Sequence, residues 1–125
     1  MMRRTAALLA SALLLVALPL GAAAETFYLS QPGLCGADDG VIEERDVIYL
    51  QDRGINSHFF GCDFPNPVLA DLAAGRELRI TSKCASATTR WTADFILVPQ
   101  GDGNVKAHQT SGGLSPVLFY RCTGG

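Results

Sequence analysis

The sequence predicts a mainly β domain, a small antiparallel barrel or compact sandwich with one short helix and two disulfides, and three observations predict it. The 125-residue chain opens on Met1-Met2-Arg3-Arg4, an apolar run from Ala6 to Leu18, and Ala22-Ala23-Ala24. These are the basic, apolar and small-residue regions of a secretory leader. Cys35, Cys62, Cys84 and Cys122 follow, an even number in a short exported chain, which reads as a disulfide framework. Finally, several segments alternate apolar and polar side chains between Gly- and Asp-rich turns, the pattern of half-buried strands.

Cleavage is expected after Ala24, leaving residues 25–125 as one disulfide-stabilised domain. The apolar run is shorter than the ~20 residues that cross a bilayer, and Ser11 and Pro19 interrupt it, so a membrane anchor is not expected. Arg3-Arg4 is followed by Thr5-Ala6-Ala7 rather than the longer twin-arginine consensus, and no cysteine at the cleavage site accepts lipid. The expected product is a soluble monomer, periplasmic or secreted, with no membrane insertion after cleavage.

Of ten Lys and Arg, Arg3 and Arg4 leave with the leader, so eight remain against twelve Asp and Glu, a net charge of −4. The basic residues are scattered from Arg45 to Arg121 and form no electropositive stripe. Nucleic acid is therefore excluded as an expected partner.

The elements follow in order. Phe27-Tyr28-Leu29 is an opening strand. Gln31-Pro32-Gly33 and Gly36-Ala37-Asp38-Asp39-Gly40 are turn clusters, because Gly accepts positive φ and Asp bonds to nearby backbone. They place Cys35 on a loop. Val41 to Leu50 reads as a strand, pairing as a hairpin with Ile55 to Cys62 across Asp52-Arg53-Gly54. Asn66 as a cap, Pro67 in the first turn and Gly75 past the end bracket a helix over 67–74. Strands are expected at Glu77 to Cys84, Arg90 to Val98, Val105 to Gln109 and Leu114 to Cys122, with a tight hairpin at Gly101-Asp102-Gly103-Asn104.

Alternation assigns faces. Trp91, Ala93, Phe95 and Leu97 share a side, expected to point inward, as do Leu78, Ile80 and Cys84, and Leu118, Tyr120 and Cys122. Two cysteines ending inward stripes suggest Cys84 with Cys122 and, by remainder, Cys35 with Cys62, one of three possible connectivities.

The chemistry is sparse. His108 alternates with Lys106 on an expected solvent face. His58 lies in Asn56-Ser57-His58-Phe59-Phe60-Gly61-Cys62-Asp63, but Ser57 and His58 are adjacent in an extended segment and face opposite ways. No Gly-x-Ser-x-Gly is present. A hydrolase using Ser57, His58 or Asp63 is the weaker alternative. The cysteines are separated by 27, 22 and 38 positions with no C-x-x-C pair, unlike zinc sites, and Asp38-Asp39-Gly40 and Asp102-Gly103-Asn104 lack the acidic spacing of a calcium loop. No metal and no cofactor is expected.

The order of elements, ending in Tyr120-Arg121-Cys122, resembles small exported bacterial disulfide-stapled β proteins of unassigned function. More distantly it is similar to periplasmic lysozyme inhibitors, which implies an antiparallel barrel behind a signal peptide and assigns no functional residue. Ser111-Gly112-Gly113 lies near the region of their inhibitory loop, and a Gly-rich hairpin accounts for it equally.

The functional expectation is a non-enzymatic binding or inhibitory module with a protein partner in the cell envelope, presenting loops on a rigid scaffold. Those loops are Asp52 to Ser57, Cys62 to Asn66 and Thr110 to Ser115, with Arg53, Asn56, His58, Asp63 and Ser111 as candidate contacts. A structural or assembly subunit of an envelope complex is the alternative.

Overall fold

The structure is a computed structural model and describes residues 26–110 and 116–123. The expected leader and Ser111 lie outside the described residues. Strands β1 (Thr26–Leu29), β2 (Tyr49–Gln51), β3 (Gly54–Asn56), β4 (Phe60–Asp63), β5 (Leu78–Ser86), β6 (Arg90–Pro99), β7 (Val105–Gln109) and β8 (Val117–Thr123) carry two short helices, α1 (Asp39–Glu44) and α2 (Leu69–Ala73). Each strand pairs antiparallel with its neighbours in the chain, and β1 closes on β8 through Thr26 opposite Thr123 and Leu29 opposite Tyr120. The expected mainly β fold is therefore a closed barrel, which leaves no unpaired sheet edge.

Side chains facing the barrel alternate as the sequence pattern requires. Leu50, Phe95, Leu97, Val105 and Phe119 are buried together in the main core. Ala93 is 1% exposed, whereas Trp91, two residues earlier on the same face, is 36% exposed because it stands at the end of the barrel. On β8 the expected face is reversed. Phe119 is the inward residue, so Leu118, Tyr120 and Cys122 face outward. Cys122 is nevertheless buried, in a second cluster with Leu29, Ile42 and Val47 that lies outside the barrel wall.

That second cluster explains two further corrections. Val41 to Leu50 is not one strand: its first part is α1, and only Tyr49 onward joins the sheet. Glu43-Glu44-Arg45-Asp46 puts four consecutive charges where a strand would have to bury every second one. A helix buries Ile42 alone and leaves the charges outside. The Asp38 carbonyl accepts from Val41 and Ile42, and Asp46 takes the left-handed φ of 53° that turns the chain toward β2.

The disulfides are Cys35–Cys122 and Cys62–Cys84, not the expected pairs. Cys62 and Cys84 sit directly opposite on β4 and β5 with Cα atoms 4.0 Å apart, both facing the interior. Outward Cys122 is out of their reach and instead takes Cys35, fastening the 30–48 segment and α1 against the barrel wall.

Ile55 to Cys62 is likewise two strands, since Ser57 forms a turn. Its hydroxyl accepts the N–H groups of Phe59 (3.0 Å) and Phe60 (3.1 Å), which starts β4. The expected 67–74 helix is present as α2, but its cap is not Asn66. Asp52 Oδ1 accepts from the N–H groups of Val68 (3.1 Å) and Leu69 (2.9 Å), reaching across from the β2–β3 turn. Gly75 ends the helix at a φ of +82°, as expected of a residue just past a helix.

Candidate functional site

The two ends of the barrel differ. At the end holding the β2–β3 and β6–β7 turns, Phe64, Val68 and Leu72 pack into the same core as Leu50 and Val105. The segment that Asp52 anchors thus packs across that end, leaving a depression of about 550 Å³ between α2 and the β6–β7 turn. At the opposite end β4, β6 and β8 begin and β3 and β7 finish, and no helix among the described residues covers the opening.

A cavity of about 330 Å³ occupies this open end. Ile55, Cys62, Phe95, Ala107 and Phe119 are its buried walls. Ile48, Phe60, Trp91, Gln109 and Val117, all partly exposed, stand nearer the mouth. Each strand supplies these residues at every second position, which is why one face of β6 gives both Phe95 and Trp91 and one face of β7 gives both Ala107 and Gln109. No charged side chain is among these lining residues, and Gln109 contributes the polar side chain apart from the Trp91 indole N–H.

Two aromatic rings stand among the lining residues nearer the mouth. Phe60 and Trp91 stack obliquely with ring centroids 6.4 Å apart. Phe59, at the tip of the β3–β4 turn, is 63% exposed and meets the His58 ring edge-on at 5.0 Å.

A second depression of about 400 Å³ lies between α1 and the β3–β4 turn, lined among others by Asp39, Glu43, Tyr49 and His58. Here His58 Nδ1 meets Glu43 Oε2 at 3.1 Å, both side chains being half exposed. Burial, reinforced by the negative charge of Asp39, pushes the Tyr49 hydroxyl pKa above the ordinary tyrosine value. Open to water and polar, this depression ties α1 to the turn.

The sequence-derived contact residues do not converge. His58 is at the open end, Arg53 is in the β2–β3 turn at the α2 end, and Asn56 and Asp63 lie on the outer wall. Asn56 donates to Gln51 Oε1 (3.1 Å) there. Asp63 stands opposite Lys83. Ser57 spends its hydroxyl on its own turn and His58 faces Glu43, so the Ser57, His58 and Asp63 set is not assembled into a catalytic arrangement. His108 faces away from the cavity on β7 and is half-buried rather than fully exposed. Among the described residues no group of three or more His, Cys, Asp and Glu is placed to hold a metal.

The cavity walls were not expected as a site. Alternation marks Trp91 and Phe95 as inward, but strand tilt and register decide whether inward side chains meet at the axis or leave space. No family model matches the chain, nor does any curated protein or solved structure.

Proposed function

We propose that this protein is exported behind a cleaved leader and works in the periplasm, or outside the cell, as a non-enzymatic binding or inhibitory module whose binding end is the open end of the barrel. The observation that carries this reading is the apolar cavity, with the partly exposed Phe60 and Trp91 rings among its lining, at the end of the barrel opposite α2. Two disulfides suit an oxidising, exported setting. One of them, Cys62–Cys84, ties β4 to β5 at the cavity wall, since Cys62 lines it.

The test is site-specific photo-crosslinking in the producing cell. A crosslinking residue at Phe59 is expected to trap a molecule of defined mass, and the same residue at Lys106, on the outer wall, to trap none. Failure of Phe59 to crosslink, together with no bound mass on protein recovered natively from the exported fraction, would overturn the proposal.

A further inference from the structure

We infer that the cavity at the open end receives one small, uncharged, ring-containing molecule of about two fused or linked rings, carrying no more than one polar group. This rests on reading the open end as the binding end, and it adds the chemical class of what binds.

Size comes first. Eight-stranded barrels have interiors that side chains just fill or that hold one small ligand. Here the space left is about 330 Å³. An apolar protein cavity of roughly 150 Å³ takes a single benzene, so this one has room for about two rings. A peptide strand does not fit such a space, and the barrel offers no open edge for one to pair with.

Charge is decided by the walls. With no charged side chain among the described lining residues, an ionised ligand would leave water without a counter-charge, a large penalty. Rings are favoured because Phe60, Trp91, Phe95 and Phe119 present faces and edges from three different strands, so a flat ring can be sandwiched or met edge-on. The single polar group would lie at the mouth, where the Gln109 amide stands.

The chain contains one tryptophan, and it lines this cavity, so the protein reports on its own site. The experiment uses the oxidised protein recovered from the exported fraction and the uncharged two-ring dye 1-naphthylamine, reading energy transfer from Trp91. Saturable one-to-one transfer that removes more than half of the tryptophan emission is expected. Naphthalene should displace the dye, while naphthalene-2-sulfonate, of like size but charged, should compete at least tenfold more weakly. Ala107→Phe, which fills the cavity from its wall, should weaken dye binding at least tenfold. Val117→Phe near the mouth gives the same readout should the first variant fail to fold. Absence of saturable transfer, equal competition by the sulfonate, or undiminished binding in a folded cavity-filled variant would each overturn the inference. Should the dye fail while crosslinking from Phe59 persists, only the ligand class falls. Failure of both removes the binding end as well.

Discussion

At the scale of single residues, the interior holds one conspicuous mismatch. Ser82 is 0% exposed on the inward face of β5, and its hydroxyl has no hydrogen-bond partner. An unpaired buried hydroxyl costs about 1–3 kcal/mol relative to its hydrated state. Ser82→Ala is therefore expected to raise stability by about 1 kcal/mol, read as a higher urea midpoint at unchanged slope. A loss of similar size would show that the hydroxyl has a partner after all. Residue chemistry was only partly legible in the chain. Ser57 and His58 are expected on opposite faces of one extended segment, whereas they lie in the β3–β4 turn, where the Ser57 hydroxyl accepts from the Phe59 and Phe60 N–H groups. The contact of His58 with Glu43 was not legible, because it depends on α1 lying beside the β3–β4 turn.

Among the elements, α2 shows how one distant side chain sets an end of the molecule. Its first N–H groups are met by Asp52, 16 and 17 positions earlier in the chain, rather than by a neighbouring cap. Asp52→Ala should cost about 1–2 kcal/mol, with Asp52→Asn retaining most of the stability because its amide oxygen can accept the same bonds. Thermal unfolding of the three proteins checks this, and an Asn variant as weak as Ala would point to charge rather than acceptance. Gly75, Gly103 and the β7 boundaries were readable because a positive φ and a period of two are local properties. The strand expected at Val41 and the inward face expected of β8 failed for one reason. Both segments border the outer cluster around Ile42 and Cys122, where apolar side chains are buried on the outside of the wall. Alternation says which residues share a face but not which face meets the barrel axis.

For the whole molecule, the two disulfides divide the labour. Cys62–Cys84 is a rung between adjacent strands, whereas Cys35–Cys122 spans 87 positions and fastens the α1 layer to the barrel. Removing the longer bridge by Cys35→Ala with Cys122→Ala is expected to cost about 4 kcal/mol on a loop-closure estimate, a large share of the roughly 5–15 kcal/mol of a domain this size. Hydrogen exchange should then show early loss of protection across 30–48 with β5 and β6 retained, because those strands pair along eight residues of each. Peptide mapping without reduction should recover Cys35 with Cys122 and Cys62 with Cys84.

By itself the sequence determined a chain of antiparallel strands with a helix ended by Gly75, and with four cysteines to be joined. Those features rest on composition, period and turn chemistry, all of which act over a few residues. The tertiary structure decided which cysteines meet, which side of β8 is inside, that α1 covers an outer cluster, and that the open end keeps a cavity. Each of these depends on how eight strands tilt and register when the sheet closes, so that the size of the space at the axis is a property of the ring and of no single segment.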